Sequence, residues 1–342
     1  MKKGQMFRKL KLSICMPAYN GAAVIGQTIK SILNQSFSDY DFIIVDDNST
    51  DKTAEVIKSF KDSRIEYYRN KKNLGYSGNL EACRKKASGD ILFLMGQDDI
   101  LSKGTLQKVY NIFVNYPEIG ALTRAYYWFD EAIDKPVREK PPVSNQDLIV
   151  SVESDPKKII RMFNSLDQLS GLAYRRDWMD RGFHRDIFPC HVYPFASIFK
   201  NHPVMCLKDY TIAVRIGTSQ TRSLPDIYRI SPLQSWVEMF KRVFKERKFE
   251  QFRKYMIKNF AAINYIGLVQ IKNYAQFKYL LREIYFLLKY RWENVFSFSF
   301  WVLSLGCLVV PTQILIPMVD WYKNKINSKR LKRIRFEYSL TK

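Results

Sequence analysis

Cysteine is scarce in this 342-residue chain, and the few present do not pair. Cys15, Cys83, Cys190, Cys206 and Cys307 are an odd count, widely scattered, with no C-x-x-C spacing. That excludes a disulfide framework and a zinc knuckle, and it suits a reducing compartment. Histidine is scarcer still: His184, His191 and His202 are spaced by seven and eleven residues, which fits no helical metal motif. Glycine (14) and proline (13) are too few for a collagen-like or low-complexity chain. The amino terminus lacks the apolar core of a secretion signal. Behind Lys2, Lys3, Arg8, Lys9 and Lys11, the run that begins at Leu12 meets Pro17 after five residues, where a signal needs about 7–15. Leu12–Met16 is expected to be a first strand instead.

Acidic side chains are also short. Against 33 Asp and Glu stand 55 Lys and Arg, a formal net charge of +22. The excess is concentrated: residues 232–342 carry 21 basic and 7 acidic side chains, residues 1–115 carry 18 and 12, and residues 116–231 carry 16 and 14. The basic third also holds the most apolar stretch. Nucleic acid and an anionic membrane surface are the two partners such a balance suggests. No nucleic-acid motif accompanies it, and the cations flank apolar sequence rather than a polar groove, so no nucleic-acid partner is expected. With 46% hydrophobic residues, the length suits one large α/β domain with an appendage, or two domains.

What is present in the first 115 residues is an alternation of periods. Leu12–Met16, Phe42–Val45 and Ile91–Met95 are near-continuous apolar runs, as parallel strands covered on both faces require, with Ile65–Tyr68 a weaker fourth. Between them Val24–Leu33, Thr53–Phe60 and Gly78–Ala87 read as helices, and Thr105–Phe113 as another opened by Ser102. This alternation predicts a doubly wound, mostly parallel α/β sheet, whose ligands bind beyond the carboxyl ends of the strands. Residues 130–160, rich in Pro, Asp, Glu and Lys, read as an excursion or loop. Leu169–Tyr174 reads as a strand, a helix is expected after Asp177, and Val204–Ile216 is further strand. From Pro232 the pattern is helical, with Tyr274, Phe277, Leu281, Ile284, Tyr285 and Leu288 on one face. The expected division is 1–230 for the sheet domain and 231–342 for a helical region, with an apolar segment at 294–319 and a basic tail at 320–342.

Three strand ends carry polar side chains. The first strand runs into Pro17-Ala18-Tyr19-Asn20, the second into Asp46-Asp47-Asn48-Ser49, and the fourth into Gly96-Gln97-Asp98-Asp99. In a parallel sheet these converge on one edge. Asp46 there can accept from a base imide or a ribose hydroxyl, and Tyr19 offers a ring to stack on a base. Asp98 or Asp99 can hold a hard divalent cation against a diphosphate.

The runs Leu12–Asn20, Ser31–Ser36, Ile43–Asp51, Asn73-Leu74-Gly75 and Gly89–Leu94 resemble family 2 glycosyltransferases of the GT-A fold over about residues 10–125. The resemblance implies inverting transfer of a sugar from a nucleotide diphosphate donor, with Mg or Mn. It implies that Pro17, Ala18, Tyr19 and Asn20 line the nucleotide pocket with Gly75 and Asn79, and that Asp46 reads the base. The family's D-x-D falls on Gly96-Gln97-Asp98, so its first Asp is a glycine here. Asp98 keeps the metal position, Gln97 lies near the ribose, and Asp99 follows the motif. An Arg often found before Asn79 is Gly78. The sugar nucleotidyltransferases share the strand order, but their Gly-rich phosphate loop is missing.

Inverting transfer also needs a base to take the acceptor's proton. The resemblance places that base in an acidic pair after a segment recognisable here as Gly171–Arg176, and the pair is missing. His191 stands in its approximate place and is the expected base, with Asp186 the alternative; the competing role for His191 is to cap a helix beginning near Pro194. Loss of both signatures leaves a catalytically inactive GT-A scaffold as a second reading.

Asn294–Val319 runs 26 residues without a formal charge, about 39 Å as one helix at 1.5 Å per residue. Pro311 and Pro317 break it, and Lys289, Arg291 and the run Lys323–Arg335 make both flanks basic. A re-entrant or in-plane element on the cytoplasmic face of a membrane is expected, ahead of a single span or a soluble helical interface. The acceptor is accordingly expected to be a glycan or polyprenyl-linked intermediate.

Overall fold

The structure, a computed structural model, describes residues 9–218 and 225–341. Lys2, Lys3 and Arg8 of the basic amino terminus lie outside them.

The first half is the expected alternation. Strands β1 (Leu12–Ala18), β2 (Tyr40–Asp46), β3 (Ile65–Arg69) and β4 (Ile91–Leu94) pair in parallel in the order 3-2-1-4. Helices α1 (Ile25–Leu33), α2 (Thr53–Ser59) and α3 (Gly75–Lys86) connect them. The apolar runs are continuous because both faces are covered. Ile14, Met16, Phe42, Ile44 and Phe93 pack toward Ile29 and Ile32 of α1, while Cys15, Ile43, Val45, Leu92 and Leu94 pack toward Leu80 and Cys83 of α3. This is a doubly wound sheet.

Beyond β4 the sheet becomes mixed. A two-residue strand β5 (Ile100–Leu101) and α4 (Thr105–Asn115) lead to the buried β6 (Ala121–Phe129). The sheet continues β4-β9-β6-β10-β5, with β9 (Ala173–Arg175) antiparallel to β4 and β6, and β10 (Val204–Arg215) parallel to β6.

Residues 130–160 are not a loop. They hold β7 (Pro136–Lys140) on β6, β8 (Leu148–Val150) on β10, and the start of α5 (Pro156–Asn164). The Pro and charged residues that suggested a loop are edge-strand and helix-start chemistry. Pro136 begins β7, Arg138 lies 3.5 Å from the Trp128 ring centroid, and Asp155 caps α5 at Lys157 N, with Pro156 in its first turn. The helix expected after Asp177 is only a single 3-10 turn, Arg176–Trp178; α6 (Val192–Phe199) begins later, with His191 as its first flanking residue. Ser102 does not open α4. Gly104 does, at φ +72°, and Ser102 Oγ donates to Glu337 O instead.

From Pro232 the chain is helical: α7 (Pro232–Val243), α8 (Glu250–Ile263), α9 (Gly267–Tyr274), α10 (Phe277–Tyr290), α11 (Phe298–Val309) and α12 (Thr312–Trp321). These helices share one core with the α3 side of the sheet, where Phe163, Phe199, Phe240 and Phe244 interlock edge to face. The face of α10 that turns inward is Tyr279, Leu280, Glu283, Phe286 and Leu287. Of the apolar face read from the sequence, Phe277, Leu281 and Tyr285 are exposed, with Ile284 and Leu288 part-buried between. The apolar segment 294–319 is two helices broken at Val310-Pro311, and among the described residues no helix is long and apolar enough to cross a membrane. The end of the basic tail folds back on the sheet domain, where Ile334, Phe336, Tyr338 and Leu340 pack against Tyr127 and Phe129.

Candidate active site

The carboxyl ends of β1, β2 and β4 do meet at one edge, joined by backbone and amide hydrogen bonds. Gln97 pairs with the main chain of Tyr19 in both directions: Tyr19 N–H donates to Gln97 Oε1 and Gln97 Nε2 donates to Tyr19 O, each at 2.9 Å. Gly21 lies beside it, where an added Cβ would meet the Gln97 side-chain amide and push it out of this clamp. This clamp leaves the Tyr19 ring 41% exposed on the rim, next to exposed Asn20 and part-buried Pro17. Asn20 turns at φ +47° and its side-chain oxygen accepts from Thr50 N at 2.8 Å, which ties the β1 end to the β2 loop.

Asp46 has a different place from the one expected. Its side chain is fully buried; it accepts from Ser49 N at 2.8 Å and from Tyr67 OH at 2.9 Å, with Arg69 Nη1 at 3.6 Å. With both oxygens engaged, it shapes the loop rather than presenting a free carboxylate to a base. Asp47 is buried likewise, accepting from Asn70 Nδ2 and Leu74 N at 2.8 Å each. Asn79 is 2% exposed and donates to Val45 O at 2.9 Å, so it fastens α3 to the strand ends from behind. Gly75 lies on the rim, exposed at φ +74°. Arg69 is the exposed cation of this edge; it donates to Ser49 O at 2.7 Å, a partner invisible to motif spacing.

At the end of β4, Asp98 and Asp99 differ in depth. Asp99 is 4% exposed and holds two elements together, accepting from Ser170 Oγ and from Arg215 N at 3.1 Å. Burial first, and then the neighbouring Asp98 charge, push its carboxyl up to about 8. Asp98 is part-buried and accepts from Thr218 Oγ1; burial raises its pKa too, while Thr218 and the Arg215 guanidinium oppose that. Two adjacent carboxylates that resist ionising together are a site short of positive charge. Arg215 Nε donates to Asp98 O at 3.3 Å and Nη2 to Gln27 Oε1 at 2.6 Å. Ser170, Arg215 and Thr218 complete the site from β10 and the β9 approach, outside the stretch where motifs were readable.

Among the described residues no group of three His, Cys, Asp or Glu side chains could hold a metal alone. The donor set fits a hard cation that takes one or two carboxylates and fills its remaining positions with diphosphate oxygens and water. Asp98 is the carboxylate at the rim, and Asp99 supports it.

His191 lies apart from this chemistry. It is 3% exposed, its Nε2 is 2.7 Å from Leu166 O, and burial lowers its pKa to about 4. Nor does its side chain cap α6. A ring closed into the core with its Nε2 committed is not placed to take a proton from an acceptor hydroxyl, which corrects the expectation drawn from its position in the chain. Asp186 is part-buried, and its Oδ1 is buried with no hydrogen-bond partner among the described residues. The nearby Cys190 thiol is buried, and burial pushes its pKa up, with a smaller push from the Asp186 charge.

Comparison with known proteins follows the same lines. Residues 13–189 match Glycosyl transferase family 2. The GalNAc(5)-diNAcBac-PP-undecaprenol beta-1,3-glucosyltransferase of Campylobacter jejuni is 37% identical over 99 residues, 28% of this chain and 32% of that one. The chain spans about half the length, or less, of the curated relatives it matches. Staphylococcus aureus TarS 1–349, solved with UDP-GlcNAc, superposes with a TM-score of 0.63 at 14% identity, over 94% of this chain and 90% of that one. The mannosyltransferase PcManGT of Pyrobaculum calidifontis, solved with GDP-Man and Mn2+, gives 0.53 at 15% identity, over 88% and 87%. At these identities the structures establish a shared GT-A fold. With more than half its length inside the matched domain, and with its strand-end carboxylates on one edge of that sheet, the chain belongs to glycosyl transferase family 2.

Proposed function

We propose that this protein is an inverting glycosyltransferase that moves a sugar from a nucleotide diphosphate donor to a glycan or polyprenyl-linked acceptor at the cytoplasmic face of a membrane. The observation that carries the reading is the clamp of Gln97 on Tyr19, which sets an exposed ring beside Asp98 at one sheet edge. The Tyr19 ring stacks on the base, and the loop shaped by Asp46 closes around the nucleoside. Asp98 holds a divalent cation, Mg or Mn, which when bound neutralises charge on the departing diphosphate. Asp99, fixed by Ser170 and Arg215, keeps Asp98 in place. The acceptor proton goes to Asp186, the half-buried carboxylate that follows the Gly171–Arg176 segment. A glycan carried on undecaprenyl diphosphate appears in the name of the Campylobacter relative and supports that class of acceptor.

The test is thermal shift with UDP, GDP, TDP and CMP, each with and without Mn. Ligand linkage raises apparent stability, so one or more nucleoside diphosphates are expected to raise Tm when Mn is present, and Asp98→Asn to remove the Mn-dependent part. No shift with any nucleotide would overturn the reading. A shift without turnover across a panel of lipid-linked acceptors would favour a GT-A scaffold instead.

A further inference from the structure

The helices after α8 are apolar on two sides, and the fold covers only one. On α11 the inner stripe is Phe300, Ser304 and Cys307, while Phe298, Trp301, Val302, Leu305 and Val309 face outward, Phe298 with 83% of its surface exposed and Val309 with 77%. On α12 the outer stripe is Ile314, Met318 and Trp321, and on α10 it is Phe277, Leu281 and Tyr285. Trp292 and Phe296, between α10 and α11, are exposed as well. Helices α10, α11 and α12 all pack on α9, so these stripes belong to one bundle. A helix apolar all round is ordinarily buried or in lipid, and a patch of this many aromatic and branched side chains exceeds what a soluble monomer leaves bare.

The charge of this part of the chain points to what covers the patch. Between Asn264 and Arg335 there are twelve basic and three acidic residues. Each acid is already taken: Glu283 is buried against Ser231 and Leu233, Glu293 pairs with Lys258, and Asp320 pairs with Lys323. Lys325, Lys329, Arg330 and Lys332 are exposed and have no acidic partner among the described residues. A second copy of the same face would set cations against cations, and protein interfaces are poor in Lys. Trp and Tyr beside Lys and Arg are the side chains that settle at the boundary of a bilayer. Helices α11 and α12, 12 and 10 residues long, extend only about 18 and 15 Å, too short to span.

We propose that the outer stripes of α10, α11 and α12 form one docking face that lies in the plane of an anionic lipid bilayer. The apolar rings enter the interface and the cations from Lys325 to Lys332 contact the headgroups. This deepens the membrane location proposed above and rests on that part of the reading, while the donor chemistry stands apart from it.

The experiment is flotation of the full chain with vesicles of phosphatidylcholine alone or mixed with phosphatidylglycerol. Binding to the mixed vesicles is expected, weakened by salt and much lower on phosphatidylcholine alone. Lys329→Ala and Lys332→Ala should each lower partitioning about fivefold at low salt, and Trp301→Glu with Leu305→Glu should abolish it. None of these substitutions touches the donor site, so the Mn-dependent nucleotide shift reports their folding and stands or falls separately. Wild-type protein that stays in solution with both vesicle types overturns the proposal. Equal binding by the Trp301→Glu, Leu305→Glu variant overturns it too. So does a wild-type oligomer that this variant dissociates while neither form floats, because the face is then covered by a second copy.

Discussion

An ideal Cβ on Gly96 would lie 3.1 Å from Ser170 Oγ and 3.2 Å from a carboxylate oxygen of both Asp98 and Asp99. The family's first Asp is therefore replaced by a residue whose neighbours have closed in, and Gly96→Asp would force a third carboxylate against two that already resist ionising together. It is expected to cost about 1–3 kcal/mol in urea unfolding and to lower transfer activity. His191 supplies a pH signature instead of a base. Its pKa falls from about 6.5 in the unfolded chain to about 4 in the fold. Its contribution is complete above pH 6.5 and is lost as pH drops from there toward 4, because only the unfolded chain takes up the proton in that window. The loss is about 3 kcal/mol. Urea midpoints at pH 7 and pH 5 should therefore diverge more for wild type than for His191→Gln, which also keeps near wild-type turnover. Asp186→Asn, in contrast, should lower kcat by about 10²–10⁴ and leave the nucleotide thermal shift unchanged. The position of His191 after the Gly171–Arg176 segment was legible in the sequence, but its burial was not, since that depends on Leu166 arriving from a loop 25 residues away.

Elements covered on both faces were the easiest to anticipate. Strands β1, β2 and β4 begin within two residues of the apolar runs that foretold them, because a strand packed against α1 on one side and α3 on the other leaves few positions to polar side chains, Ser13 and Asp41 being buried exceptions. Helix α10 shows the limit of that logic. Both its stripes repeat apolar side chains at helical spacing, so periodicity alone cannot say which turns inward. The choice is made by Glu283, which accepts from Ser231 Oγ at 2.6 Å and Leu233 N at 2.8 Å and so binds α10 to the positive end of α7. Glu283→Ala would leave those two donors unpaired in the core. It should destabilise the protein by about 2–4 kcal/mol in urea unfolding, and Glu283→Gln, which keeps an acceptor oxygen, by less.

Across the whole molecule, the last described residues join the C-terminal helices to the sheet edge that carries Asp98 and Asp99. Residues 334–340 run back along the sheet domain with Ile334, Phe336, Tyr338 and Leu340 turned inward, an alternation masked in the sequence by the basic residues before it. Glu337 O accepts from Lys103 N at 2.7 Å and Ser102 Oγ at 3.0 Å, and Ser339 O accepts from Asn34 Nδ2 at 3.1 Å. The Phe336 ring meets Tyr127 edge on at 5.1 Å, within a cluster that includes Ile100 and Phe129. Phe129 in turn lies 4.7 Å beneath the guanidinium of Arg215, the residue bonded to both Asp98 and Asp99. Removing residues 334–342 would expose Ile100 and Phe129 to water and release Arg215 from its platform. The shortened chain should melt earlier and need several-fold more Mn for half of the nucleotide-dependent shift. Phe336→Ala should show the second effect in milder form, whereas a tail that serves only general stability would lower Tm and leave the Mn requirement where it is in the full chain.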